Sequence, residues 1–187
     1  EYLKHVLDNS MIPPTQMLPT HINRSITLMQ DGIEYAKKYG GYIDLTTSSD
    51  PDFLEPEEVK ASTGLKMAID AGVSAEQVTF SSDGQGSLPV FAADGTFSGL
   101  GVGKVMSMYR EMRDAVLTEG IALEDALKPV TSNPAKLLKL EHKGKIVENA
   151  DADLVLAEED TLELLSVFAK GVLMIHEKEI LVKGTFE

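Results

Sequence analysis

Two short phrases hold the residues best suited to chemistry. LPTHINR carries His21 and, three residues on, Arg24. VTFSSDGQGS carries Asp83 and Ser87. An imidazole nitrogen and a carboxylate oxygen are the donor types left to hold any metal in this chain. Arg24 is close enough to His21 in sequence to serve the same pocket from the loop. Each phrase also has an ordinary structural reading. One histidine makes no metal site, and a backbone carbonyl can satisfy it while Arg24 serves as a surface charge. Asp83-Gly84 is common turn chemistry. Against that turn reading, the loop follows an apolar strand at the same sheet edge as His21. A long glycine-rich passage comes after it, and such passages often carry function. Gly84 and Gly86 allow positive φ or a close approach to a ligand.

Other candidates are weaker. The DLTTSSD run from Asp44 to Asp50 reads either as hydroxyls lining the same pocket or as a loop with capping residues. His5, His142 and His176 have no partner at ligand spacing. Glu57-Glu58 suits a helix N-terminus rather than a catalytic pair. The GLGVG stretch from Gly99 to Gly103 lacks the spacing of a dinucleotide-binding loop.

The elements that must position these residues follow a strand-then-helix rhythm. Glu1 to Asn9 reads as the end of a helix, broken by Pro13-Pro14. Gln16 to Ile22 reads as a short strand, and Ser25 to Lys38 as a helix with Ile26, Met29, Ile33 and Ala36 on one face. Tyr42 to Thr47 is a second strand. Glu57 to Ala71 is a second helix, opened by Pro56. Gln77 to Ser81 is a third strand, and after a glycine-rich loop Lys104 to Thr118 is a third helix with Val105, Met108 and Met112 at core spacing. Two short helices, Leu123 to Lys128 and Pro134 to Leu140, come next. This α/β rhythm implies a parallel sheet, either doubly wound or a slice of a (β/α)8 barrel, with His21 and Asp83 at strand C-terminal ends where such folds build sites. From Gly144 the texture turns to short β runs: Lys145 to Val147, Leu154 to Ala157, Leu165 to Ala169, Val172 to His176 and Glu179 to Val182. The boundary is set near residue 142, giving domains 1–142 and 143–187.

Composition bounds the partners. The formal net charge of −13 argues against nucleic acid and against an anionic membrane surface. It leaves room for an acidic substrate, because one local arginine can override the global field. With no cysteine, disulfides are excluded and any metal must rest on His and carboxylates. No apolar run reaches transmembrane length, and the opening shows no signal peptide, so the expected location is cytoplasmic. The chain starts at Glu1 in mid-pattern, which reads as the interior of a longer protein.

LPTHINRS, GGYIDLTTS, VTFSSDGQGS and the terminal VKGTFE resemble the isoaspartyl dipeptidases of the amidohydrolase superfamily. GKIVENADADLV is similar to the superfamily's C-terminal signature. The resemblance implies a partial TIM barrel, with this chain supplying strands six to eight and their helices, followed by part of a small β-sandwich. It implies a site of two zinc ions bridged by a carboxylated lysine and a hydroxide. His21 would ligate one zinc. Asp83 would ligate the other and act as general base, Arg24 would bind a substrate carboxylate, and Ser87 would hydrogen-bond the substrate. It also implies a dipeptide substrate and a homo-oligomer. The family's His-x-His pair, bridging lysine and strand-five histidine have no match and would lie before Glu1, so the chain carries part of the site. Asn149 stands where the signature usually has Gly, a mild change because Asn tolerates left-handed backbone. Two alternatives remain open: an amidohydrolase acting on a cyclic amide or an N-acyl amino acid, and a non-catalytic α/β binding module in which His21 and Asp83 are structural.

Overall fold

A computed structural model describes residues 2–47, 57–92 and 94–183. The end of the DLTTSSD run, Pro56 as helix opener and the GTFE ending lie outside these residues. The chain forms two compact units, Glu1–Pro134 and Ala135–Glu187. The sequence reading sets its boundary further on, near 142, where the β texture begins.

In the first unit the helices are α1 (Tyr2–Asp8), α2 (Ile26–Tyr39), α3 (Ala61–Asp70), α4 (Ser107–Leu117) and α5 (Leu123–Leu127). A further helix, α6, runs from Ser132 to Leu137. The strands are β1 (Ile43–Thr46), β2 (Val78–Ser81), β3 (Ser87–Phe91) and β4 (Phe97–Val102). β1 and β2 pair in parallel, from Ile43 opposite Val78 to Thr46 opposite Ser81. Strand side chains alternate between faces, so this register gathers two sets. Ile43, Leu45, Val78 and Phe80 join the core made by Met29, Ile33 and Ala36 of α2, Leu65 and Ala68 of α3, and Met112 and Ala115 of α4. Asp44, Thr46, Thr79 and Ser81 form a polar set, and all but the half-buried Ser81 are buried. A parallel pair closed off on both faces is normal for an α/β fold.

α2 follows its amphipathic pattern. Ser25 Oγ accepts a hydrogen bond from the Leu28 N–H, and Gly40 ends the helix at φ 71°. Ile26, expected on the inner face, is instead exposed.

Several expectations are corrected. Gln16 to Ile22 is not a strand. It contains a 3-10 turn at Pro14–Gln16, an extended stretch and a second 3-10 turn at Ile22–Arg24. Among the described residues its one ladder-like bond to β1 runs from the Asp44 N–H to the Pro19 carbonyl, and the left-handed turn at His21 ends the extended stretch before a ladder can continue. The helix expected from Glu57 starts at Ala61. The Val59 N–H donates to the Asn23 carbonyl and the Asn23 amide donates to the Val59 carbonyl, which holds the preceding residues out of the helix. The glycine-rich loop contains a hairpin, β3 against β4, in which Gly101 pairs with Leu88 and Gly99 with Val90. α4 begins at Ser107, so Val105 lies before it and is exposed, whereas Met112 is core. Lys145 to Val147 is not a strand.

In the second unit β5 (Leu154–Ala157), β6 (Leu164–Ala169), β7 (Val172–His176) and β8 (Glu179–Ile180) form one antiparallel sheet in that order. The ADADLV phrase has a physical role here. Lys143 Nζ bonds Asp151 at 2.8 Å and also bonds Asp153, while Asp153 accepts the Lys170 N–H at 2.7 Å where the chain turns from β6 to β7. Asn149 takes φ 67°. A cavity of about 630 Å³, lined in part by Lys143, Val155, Phe168 and Met174, contains no candidate site residue. Among the described residues the fold is therefore α/β with two two-stranded sheets and one four-stranded sheet, none of them closed. Among the described residues no helix is long and apolar enough to cross a membrane.

The tether through Asn23 makes a direct test of this packing. Asn23 is buried, donates to the Thr46 and Val59 carbonyls, and accepts the Thr46 N–H at 2.8 Å. Asn23→Ala leaves those backbone groups without partners and is expected to cost about 2–4 kcal/mol in urea unfolding. A loss below about 0.5 kcal/mol contradicts the assignment.

Candidate functional site

His21 sits in the turn between the extended stretch and the Ile22–Arg24 3-10 helix. Its backbone is left-handed, φ 57° and ψ 26°, a conformation disfavoured for any residue with a Cβ. The ring is half-buried, and its Nδ1 shares a 2.5 Å hydrogen bond with the Thr46 hydroxyl on β1. Nε2 is therefore the ring nitrogen left for a ligand. Arg24 ends the same 3-10 turn. It is exposed, and its side chain makes no hydrogen bond or ion pair among the described residues.

Asp83 follows β2 by two residues and is exposed. It too is left-handed, φ 47°, as is Gln85 at φ 66°. The glycines of this loop serve closeness rather than left-handed turning. A Cβ on Gly86 would lie 2.8 Å from the Asp83 carbonyl oxygen, and one on Gly103 would lie 2.6 Å from it. The loop is pinned by the Gly86 N–H to the Asp83 carbonyl, the Gln85 N–H to the Gly103 carbonyl and the Gly103 N–H to the Gly86 carbonyl. Ser87 opens β3 immediately afterwards and is exposed.

The four residues thus fall into two pairs, His21 with Arg24 and Asp83 with Ser87. The pairs sit on chain segments that meet at the C-terminal end of β1 and β2. The His21 ring reaches Thr46, Thr46 lies opposite Ser81 in the register, and the Thr47 N–H donates to the Ser81 carbonyl at 2.7 Å. No hydrogen bond or ion pair joins the pairs to each other among the described residues. Nor are three or more His, Asp or Glu side chains there grouped to hold a metal ion. One imidazole nitrogen and one carboxylate suit zinc as donor types, but two donors leave its four-coordinate shell incomplete.

The sequence offers Asp44 and Thr46 only as members of the DLTTSSD run, lining a pocket or capping a loop, and gives no role to Thr20, Thr79 or Ser81, which help hold this end of the sheet. Asp44 accepts from the hydroxyls of Thr20 at 2.6 Å, Thr79 at 2.7 Å and Ser81 at 2.5 Å. Asp44 and Thr46 belong to a strand and not to a capping loop. Their signal was the polar residue at every second position, Asp-x-Thr in β1 and Thr-x-Ser in β2, inside otherwise apolar strands. The ring nitrogens of His5, His142 and His176 hydrogen-bond the Asn9 side chain, the Asn149 carbonyl and the Ser166 hydroxyl respectively.

The amidohydrolase family model matches residues 3–174, and the chain belongs to that family. Among solved structures it is similar to a beta-aspartyl dipeptidase from Fervidobacterium islandicum AW-1 in complex with beta-Asp-Leu, at 37% identity and a TM-score of 0.79, over 98% of this chain and 46% of that one. A second structure of the beta-aspartyl dipeptidase from that organism matches at 33% identity and a TM-score of 0.77, over 98% and 44%. N-acetylglucosamine-6-phosphate deacetylase from Pasteurella multocida shares the fold at 15% identity and a TM-score of 0.53, over 91% and 52%. The chain spans less than half the length of the dipeptidases it matches.

The steric role of Gly103 is testable. Gly103→Ala puts a methyl group against the Asp83 carbonyl and is expected to cost about 1–3 kcal/mol in thermal unfolding, with the amide resonances of residues 83–86 displaced. Unchanged stability and resonances contradict the close approach.

Proposed function

We propose that this chain is the part of a zinc-dependent β-aspartyl (isoaspartyl) dipeptidase that supplies His21, Arg24, Asp83 and Ser87 to the site. The observation that carries the reading is 37% identity to a beta-aspartyl dipeptidase over 98% of the chain. The phrases holding all four residues are the same ones whose wording resembles that family. His21 Nε2 and the Asp83 carboxylate would each hold one of two zinc ions, with the remaining donors coming from outside residues 1–187. When bound, zinc polarises the scissile carbonyl and makes water acidic enough to attack near neutral pH.

The chain's own residues carry the rest. Arg24 binds a carboxylate of the acidic dipeptide, which a protein of net charge −13 otherwise repels. The Ser87 hydroxyl donates a hydrogen bond to the substrate. Asp83 accepts the proton of the attacking water as the new C–O bond forms, then returns it to the amine as the C–N bond breaks. Its exposed carboxylate, with no partner of its own among the described residues, is available for that exchange. The strand numbering of a (β/α)8 barrel, the β-sandwich, the 1–142 and 143–187 division, a homo-oligomeric assembly and a cytoplasmic location accompany this reading.

Kinetics on the intact protein test it. The zinc-loaded enzyme is expected to hold about two zinc per chain and to cleave β-Asp-Leu in preference to α-Asp-Leu. Asp83→Ala is expected to lower kcat by about 10²–10⁴-fold, the usual worth of a positioned acid–base group. Arg24→Ala is expected to lower kcat/KM for β-Asp-Leu by about 10–100-fold through loss of a charged hydrogen bond. Cleavage of dihydroorotate alone favours the cyclic-amide alternative. Full stability without metal and no hydrolysis of any of these substrates favours a binding module.

A further inference from the structure

We propose that Asp44 and Thr46, on the polar face of β1, are the positioning residues of the site: Thr46 orients the His21 ring, and Asp44 ties together the segments that carry His21 and Asp83. The proposal rests on reading His21 and Asp83 as metal ligands.

Asp44 is 3% exposed, and its carboxylate meets three hydroxyl donors and no cation among the described residues. A buried anion without an ion partner is expensive, and an apolar side chain would serve packing better. Its bonds are directional in a telling way. Oδ2 holds Thr20, one residue before His21, and Ser81, two residues before Asp83. Oδ1 holds Thr79 on β2, and the Asp44 N–H holds the Pro19 carbonyl. One carboxylate thus fixes both approaches to the site. Bonds from hydroxyls to an ionised acceptor are about twice as strong as neutral ones, which suits an anchor between segments that share little ladder pairing.

Thr46 lies two residues on and therefore on the same face. Its Oγ1 meets His21 Nδ1, and a hydrogen bond at one ring nitrogen sets the tautomer and tilt of the other. With Nδ1–H donating to Oγ1, the Nε2 lone pair is free for a metal. Thr46 is itself immobilised, because the Asn23 amide bonds both its N–H and its carbonyl. The left-handed backbone at His21 and at Asp83 is strained, and a strained loop keeps its shape only when its surroundings fix it. Asp44 and Thr46 supply that fixing.

The test uses the intact protein with Thr46→Val, Thr46→Ser and Asp44→Asn, each checked for folding by thermal unfolding. Cobalt(II) is titrated into each, with its visible absorption band as a reporter of ligand geometry. The His21 ring nitrogens and the amides of residues 82–85 are followed by 15N NMR without metal. Thr46→Val is expected to keep the fold, lower cobalt affinity about 10–100-fold, alter the band and shift the His21 ring resonances. Thr46→Ser restores all three. Asp44→Asn is expected to shift both the ring and the 82–85 amide resonances and to lower cobalt affinity about 10-fold. Folded variants with wild-type resonances and wild-type cobalt binding overturn the proposal. If the wild-type protein binds no metal while the variants still displace the ring and loop resonances, the metal-site reading fails and the positioning role stands.

Discussion

The buried carboxylate of Asp44 is the constraint on which the rest of the first unit turns. Three hydroxyls converge on it, from Thr20 in the segment before His21 and from Thr79 and Ser81 of β2, while the Asp44 N–H donates to the Pro19 carbonyl. An anion at 3% exposure is tolerated only if those donors stay in place. The β1–β2 register, the approach of Thr20 and the close of β2 at Ser81 are therefore linked. The apolar face of the same two strands provides the opposing grip. Ile43, Leu45, Val78 and Phe80 pack on α2, α3 and α4, and the alternation that buries them sends Asp44, Thr46, Thr79 and Ser81 to the other side.

The loops beyond that sheet show how function is carried on a rigid base. His21 and Asp83 occupy left-handed backbone, and glycines crowd the Asp83 peptide closely enough to exclude a Cβ at Gly103. Such arrangements cost about 1–3 kcal/mol each and survive where the surrounding bonds overdetermine them. The exposed charges, Arg24 and Asp83, sit at the outer end, where solvent and a ligand can reach them. The chain belongs to the amidohydrolase family and is similar to beta-aspartyl dipeptidases, and the proposed function rests on that similarity.

Much of the fold was legible because its signals are local. The α2 period, its Ser25 cap and Gly40 stop, and the apolar-polar alternation of β1 and β2 each follow from neighbouring residues. The failures came where a distant partner decides. Residues before Ala61 read as helix until Asn23 takes their backbone bonds. Gln16 to Ile22 read as a strand, but Pro19 offers only an acceptor to β1. The glycines of β4 read as loop, and pairing across to β3 makes them strand. For the site, His21 and Asp83 were visible as residue types, with Asp83 just past the end of β2 as expected but His21 after an extended stretch and not after the expected strand. Asp44 and Thr46 were visible only as members of a polar run that could line a pocket or cap a loop, because hydroxyl-to-carboxylate bonds between separate segments leave no mark in local spacing beyond a polar residue at every second position.

The central claim is that His21 and Asp83 hold metal in a hydrolytic site. Anomalous diffraction at the zinc edge from crystals of the intact, zinc-loaded protein addresses it most directly. The account predicts one peak about 2.0–2.1 Å from His21 Nε2 and another about 2.0–2.2 Å from an Asp83 carboxylate oxygen, with His21 Nδ1 still bonded to Thr46. Zinc bound only elsewhere, or coordinated through His21 Nδ1 with the Thr46 bond broken, would contradict it.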